Sequence, residues 1–149
     1  MMEPERSAVL LGERLGHVFV DVLLLERALT HRSWANEHAP ALDNEGLAFL
    51  GDAVLALVVA EHLWREAPEA SVGVLTPGRA EVVSGANLAR WAEAIDLGPH
   101  LRLGRGERLQ GGDAKESVLA TALEAVLGVV YLEGGLPAAR GSVAALAVW

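Results

Sequence analysis

Apolar residues recur at three- and four-residue spacing along most of the chain, and runs that alternate apolar and polar residues are scarce. This spacing predicts α-helices rather than strands. The predicted helices cover residues 5–15, 23–31, 43–65, 76–95, 115–132 and 137–149. We therefore expect a single all-α domain of about six or seven helices that spans residues 1–149.

The ends of these helices are marked by residues that start or stop helical backbone. Asp43 or Asn44 caps the third helix, and Thr76 followed by Pro77 is typical of a helix start. Glycines at positions 16, 134 and 135 are predicted to end helices, and residues 34–42, 68–73 and 97–112 to form loops. The third and fifth helices are apolar on more than one face, which predicts that both lie in the centre of the fold.

Composition and charge exclude several classes of function. The net charge is −8 and the sequence pI about 5.0, which argues against strong general binding to polyanions. There is no cysteine, so disulfides, thiolate zinc sites and cysteine nucleophiles are excluded. The first residues do not resemble a secretory signal, and apolar stretches such as residues 53–60 are too short to cross a bilayer. We expect a cytoplasmic protein with no membrane partner.

The candidate functional groups are carboxylates on the two apolar helices. Glu45 and Asp52 are seven residues apart and therefore share a helix face, and Glu124 lies in the apolar run of the fifth helix. An unpaired carboxylate in such surroundings is costly. Either acidic residues of the two helices meet across a cleft and hold a hard cation such as Mg²⁺, or each is paired with an arginine or a backbone donor.

Several segments resemble the ribonuclease III family. Residues 44–55, NEGLAFLGDAVL, resemble the family motif NERLEFLGD with the AVL that follows it. LTHRSWANE at 29–37, LRLGRGE at 101–107, KESVLA at 115–120, LEAVLG at 123–128 and YLEGG at 131–135 resemble further family blocks in the same order. The resemblance implies an all-helical, dimeric nuclease domain that cleaves double-stranded RNA with Mg²⁺ through four carboxylates per active centre.

The family's acidic positions are only partly retained. The retained residues are Asp52 and Glu124, as catalytic and metal-binding groups, and Glu45 in a supporting role. The positions that have lost their acid are Ala48, Thr121 and Val72. The resemblance thus implies a degenerate centre that binds Mg²⁺, or Mn²⁺, weakly if at all, with cleavage weak or lost. His31 and Arg32 are expected to support Glu45 rather than to take part in catalysis.

Two further groups of residues are candidate contact sites. Phe49 and Leu50 resemble the family's dimer contact, with ordinary core packing as the alternative. The glycine-rich loop carries Arg102, Arg105 and Arg108, which could contact RNA phosphates or could simply be solvated. The double-stranded-RNA-binding domain that often follows in this family is expected to be absent, because the chain ends about where that domain would begin.

Three hypotheses about function remain open. The first is a homodimeric pseudoenzyme that binds double-stranded RNA or a protein partner. The second is a functioning Mg²⁺-dependent endoribonuclease in RNA processing that relies on Asp52 and Glu124. The third is a structural dimerisation partner of an intact family member.

Overall fold

The computed structural model describes residues 2–147, which form an all-α fold as predicted. In this range there are eight α-helices, two 3-10 turns at Gly98–His100 and Gly112–Ala114, and one isolated parallel bridge between Thr30 and Arg102. The helices are α1 Pro4–Leu15, α2 Val22–Ala28, α3 Arg32–Glu37, α4 Glu45–Glu66, α5 Val72–Val82, α6 Gly85–Ala94, α7 Arg105–Leu109 and α8 Glu116–Leu146. The last two residues of the predicted C-terminal helix, 148 and 149, lie outside the described range.

Helices α4 and α8 form the centre of the fold, as their apolar sequences predict. The packing between them is the most extensive between any two elements of the described chain. Helix α8 bends at Gly135, which has φ 69° and ψ −166°, a backbone conformation that favours glycine. The predicted interruption at the glycine pair is therefore confirmed, and the predicted fifth and sixth helices are the two arms of α8.

Both central helices are long and apolar enough to cross a membrane by length and composition. The prediction that no apolar stretch reaches this length is therefore wrong. Within the fold, 61% of the most apolar window of α8 is buried, against 39% for α4, and buried core helices of soluble proteins pass the same test. The expectation that the chain has no membrane partner stays a prediction.

The link between α1 and α2 is fastened to α8 by one carboxylate. Glu133 accepts hydrogen bonds from the backbone N–H groups of Val20 and Asp21, and its Oε1 lies 2.8 Å from His17 Nε2. Burial opposes ionisation of this carboxyl group, but the hydrogen bonds outweigh it and hold the pKa of Glu133 below its ordinary value. The link is thereby held against the first arm of α8.

Several predicted boundaries differ from the structure, and the predicted helix 23–31 ends at Ala28. The segment 34–42 is only partly a loop, because α3 occupies Arg32–Glu37, with the side chain of His31 accepting from the backbone of Ser33 at its start. The predicted helix 76–95 is two helices that separate after Val82, since the side chain of Ser84 caps α6. The predicted loop 97–112 contains the short helix α7.

Pro77 lies inside α5 instead of at its first position, so the interpretation of Thr76–Pro77 as a helix start is wrong. The helix begins one turn earlier, where the backbone carbonyl of Ser71 accepts from Val74 and Leu75. The proline removes one hydrogen bond from the helix interior. Helix α5 has no buried residue, which leaves this apolar segment on the surface.

Candidate active site

The candidate site is built where α4 and α8 touch through their backbones. An ideal Cβ added to Gly51 would lie 1.7 Å from the carbonyl oxygen of Glu124, and one added to Gly128 would lie 2.6 Å from that of Leu47. Only glycine permits an approach this close. Because Asp52 directly follows Gly51 in the chain, the crossing brings its side chain to that of Glu124.

Asp52 and Glu124 meet side chain to side chain across this crossing. Burial, the hydrogen bond with Asp52 and the negative charge of Asp52 together raise the pKa of Glu124 from its ordinary 4.5 to about 8. At neutral pH Glu124 is therefore protonated, and its carboxyl O–H donates a hydrogen bond to the Asp52 carboxylate. Of the two alternatives that the sequence left open, Glu124 and Asp52 follow the first, since they pair with each other, whereas Glu45 on α4 is paired with an arginine. A metal role of the pair stays a prediction.

The remaining positions around this pair are neutral. Ala48 is a buried part of the core, and Thr121 is half-buried on α8, one turn before Glu124. Across residues 2–147, no three His, Asp or Glu side chains are grouped so that they could hold a metal ion. Two carboxylates suit a single Mg²⁺ ion that takes its other ligands from water and phosphate, but they are too few for two ions.

Glu45 lies in the first turn of α4 and is engaged by a different partner. Its Oε1 accepts a hydrogen bond of 3.0 Å from Arg32 Nη2, and both side chains are more than half exposed. The expected support of Glu45 by Arg32 is thus present. His31 instead caps α3, and its Nε2 lies 3.9 Å from Glu107. Val72 begins α5 with its side chain 77% exposed and supplies no acid.

The comparisons with known proteins agree with the site's sequence motifs. Residues 21–147 match the family model described as ribonuclease-III-like. The chain belongs to the ribonuclease-III-like family. It is similar to ribonuclease 3 of Symbiobacterium thermophilum, with 47% identity over 140 residues that cover 94% of this chain and 59% of that protein. Ribonuclease 3 of Nitratidesulfovibrio vulgaris is 50% identical over 134 residues, 89% of this chain and 53% of that protein.

The fold of the chain is also similar to that of solved structures from this family. A nuclease domain of ribonuclease III from Campylobacter jejuni, described as flexible in a region involved in dimer formation, matches with a TM-score of 0.85. The sequence identity is 36%, and the match covers 92% of this chain and 94% of that chain. The ribonuclease-III-like chain therefore has the nuclease-domain fold, although it spans only 53–62% of the length of the curated relatives that it matches.

The three loop arginines of this ribonuclease-III-like domain occupy different environments. Arg102 forms an ion pair of 2.6 Å with Glu26 and lies 3.7 Å over the ring of Trp34, and Arg108 donates to the carbonyl oxygen of Leu101. These two side chains hold the loop in place. Arg105 is exposed at the start of α7, and its side chain is better placed for a phosphate. RNA contact by any of the three stays a prediction.

The two residues of the expected dimer contact differ in their exposure. Phe49 is 83% exposed, which excludes packing of its ring in the core of its own chain, whereas Leu50 packs partly against that core. Leu57 on the same helix and Val72 and Val74 on α5 are also exposed apolar residues. Contact of Phe49 with a second copy stays a prediction.

The sequence interpretation missed two glycines that shape the site, Gly51 and Gly128, which set the distance between α4 and α8. Asn44, one of the two predicted caps of α4, makes no side-chain cap hydrogen bond and instead donates from Nδ2 to the carbonyl oxygen of Ala28. Glycines inside two long apolar helices were the available signal, since glycine is unfavourable in a helix interior unless a close approach requires it. No local signal predicted the hydrogen bond between Asn44 and the carbonyl oxygen of Ala28.

Proposed function

We propose that this ribonuclease-III-like domain is a homodimer that binds double-stranded RNA and cleaves it weakly or not at all. The observation that carries the proposal is the isolation of the Asp52–Glu124 pair, with Ala48 and Thr121 at the positions where the resemblance implies acids. The pair shares one proton and so carries about one negative charge at neutral pH. Such a centre attracts a divalent ion far less than four ionised carboxylates would.

The donor set fits one Mg²⁺ ion, or Mn²⁺, held by Asp52 and Glu124. The ion, when bound, would supply charge neutralisation at a phosphate and a more acidic water. Asp52 is exposed and offers its carboxylate directly. Glu124 must first release its proton, so protons compete with the metal below about pH 8. Binding is therefore expected to be weak at neutral pH and to strengthen as the pH rises.

The homodimer is supported by the exposed ring of Phe49 and by α5, which has no buried residue. A two-fold pair would place two Asp52–Glu124 centres symmetrically along one groove. The Campylobacter nuclease domain, for which dimer formation is described, supports the same arrangement. The bacterial relatives support a cytoplasmic location.

Two other functions are favoured by particular observations. The direct contact between Asp52 and Glu124 favours a functioning Mg²⁺-dependent endoribonuclease that works with these two groups alone. The exposed Phe49 favours a structural partner that pairs with an intact family member, so that only one half of the dimer is active.

The test is to incubate the purified protein with labelled duplex RNA in Mg²⁺ and, separately, in Mn²⁺, measuring both binding and cleavage. Asp52→Asn removes the accessible carboxylate, and Glu66→Gln neutralises an exposed acid of the same helix as the control. We expect duplex binding by all three proteins and little or no cleavage. Cleavage that is lost only in Asp52→Asn would instead establish a working two-carboxylate enzyme. An absence of RNA binding would favour the structural partner.

A further inference from the structure

A cavity of about 520 Å³ lies between the start of α1 and the short helix α7. Its walls are Met2, Glu3, Arg6, Pro99 and Arg108. We call it the Arg6 pocket. Neither carboxylate of the Asp52–Glu124 pair belongs to it. Its two arginines come from distant parts of the chain, so only the fold brings their guanidinium groups to one cavity.

The walls of the Arg6 pocket are held together by a buried hydrogen bond. Ser7 Oγ lies 2.7 Å from His100 Nδ1, and the two residues are 1% and 5% exposed. Because they directly follow Arg6 and Pro99 in the chain, this bond fixes the first turn of α1 against the 3-10 turn at Gly98–His100. Walls that are already in place need no ordering when a ligand binds, which favours affinity.

Both arginines can contact a ligand without losing a protein partner. Arg108 Nη2 donates to the carbonyl oxygen of Leu101 at 3.0 Å, which leaves the other N–H groups of this guanidinium group for a ligand. Arg6 is exposed, and among residues 2–147 no hydrogen bond or ion pair engages its guanidinium group.

The Arg6 pocket is locally positive on an acidic protein. Its two arginines outnumber its single acid, Glu3, although the whole chain has a net charge of −8. The cavity of about 390 Å³ beside the candidate active site has the opposite balance, because its arginine, Arg32, shares it with Glu45 and Glu107. Of these two cavities the Arg6 pocket is therefore better suited to an anion, and guanidinium groups form especially strong hydrogen bonds with phosphate oxygens.

Neighbouring residues of α7 line the two cavities. Glu107 lines the cavity beside the candidate active site, and Arg108, the next residue, lines the Arg6 pocket. An RNA strand at the candidate active site thus needs to extend only about the width of one helix, about 10–12 Å, to place a phosphate at the two arginines. Phosphate oxygens are also the atoms that nucleic acids most often offer to proteins.

We infer that the Arg6 pocket binds a backbone phosphate of the RNA duplex between the guanidinium groups of Arg6 and Arg108. This inference rests on the proposed binding of double-stranded RNA, and it adds a contact on α1 that lies outside the candidate active site. Because a phosphate carries no base identity, the contact should strengthen the binding of every duplex alike.

The test is the salt dependence of equilibrium binding, measured with Ca²⁺ in place of Mg²⁺ on two RNA duplexes of unrelated sequence. Arg6→Gln should raise both dissociation constants about fivefold, since an exposed charge pair contributes up to about 1 kcal/mol. The slope of the logarithm of Kd against the logarithm of the salt concentration should become smaller by about one, as expected for the loss of one phosphate contact.

Two further variants serve as a counter-test and as the matched control. Glu3→Gln removes the acid of the pocket, and its side chain makes no cap hydrogen bond at the start of α1, so this variant should bind both duplexes more tightly. Arg90→Gln removes the same charge as Arg6→Gln from an exposed position on α6, where Arg90 donates to Asn87 and lines neither cavity. It should keep the wild-type dissociation constants and salt slope.

The outcomes separate the inference from the proposed function. Wild-type affinity and salt slope in Arg6→Gln, or an equal loss of affinity in Arg90→Gln, would overturn the inference while leaving duplex binding intact. Calorimetric binding of inorganic phosphate alone that Arg6→Gln abolishes, with duplex binding unchanged, would assign the pocket to a free anion and also overturn it. A wild-type protein that binds neither duplex would overturn the proposed function and the inference together.

Discussion

Gly51→Ala tests whether the backbone contact between α4 and α8 holds the site together. The added Cβ would lie 1.7 Å from the carbonyl oxygen of Glu124, whereas ordinary van der Waals contact begins near 3.4 Å. The two helices would therefore have to move apart by about 1.7 Å along that line, the difference between these distances. The obstacle is backbone, which cannot rotate away as a side chain could.

Two opposing terms set the size of the effect. Alanine is favoured over glycine in a helix interior by about 1 kcal/mol. Overpacking a well-packed core costs about 1–3 kcal/mol, occasionally more, and a clash with backbone belongs at the upper end of that range. We expect Gly51→Ala to lower the free energy of unfolding by about 2 kcal/mol. Separation of the helices should also return the pKa of Glu124 towards its ordinary value.

The assay is urea unfolding followed by circular dichroism, with Gly141→Ala as the matched control. Gly141 is a helical glycine of α8 whose added Cβ meets no atom within 4 Å, so alanine should raise stability there by about 0.5–1 kcal/mol. We expect Gly51→Ala to lower the free energy of unfolding and Gly141→Ala to raise it. A Gly51→Ala protein as stable as the wild type would refute the account of the helix crossing.

Two further predictions concern Glu124 and Phe49. Because the pKa of Glu124 is raised from 4.5 to about 8, its contribution to stability is complete below pH 4.5 and is lost as the pH rises through 8. The free energy of unfolding of Glu124→Gln should therefore rise above that of the wild type across this range, by about 2 kcal/mol above pH 8 after allowance for partial exposure. A difference in the free energy of urea unfolding between the two proteins that does not change with pH would contradict this. Phe49→Ala should raise the dissociation constant of the homodimer about a thousandfold, because each of the two copies loses about 2 kcal/mol of apolar burial. Analytical ultracentrifugation measures this constant. Leu109→Ala, which removes a side chain that is 88% exposed on α7, should leave association unchanged, and equal effects of the two variants would count against the predicted interface.

The sequence pattern was sufficient for the fold class and for the central pair of helices. Long apolar runs need burial on several sides, and α4 and α8 have it. The glycines at 134 and 135 interrupted the helix where expected, because one of them takes a left-handed φ. The contact of Asp52 with Glu124 was one of two alternatives that the sequence left open, and the burial expected for Asp52 is wrong, since its side chain is exposed and only Glu124 is partly buried.

The features that were missed depend on contacts between distant segments. Helix α3 has only six residues, and Trp34 within it lies between the ring of His38 and Arg102, which comes from a loop far along the chain. Such a helix is held by tertiary contacts and leaves little local pattern. The start of α5 at Ser71 and its passage through Pro77 were missed because the threonine–proline pair gave a stronger local signal.

The most direct test of the central claim is single-turnover cleavage of labelled duplex RNA in saturating Mg²⁺ by the wild type and by the double variant Ala48→Glu with Thr121→Asp. The claim is that the Asp52–Glu124 pair lacks the partners that efficient cleavage requires. Restoring the two acids should raise the cleavage rate of bound RNA by roughly a hundredfold or more, which corresponds to about 2.7 kcal/mol of barrier. Cleavage by the wild type as fast as by the double variant would contradict the claim.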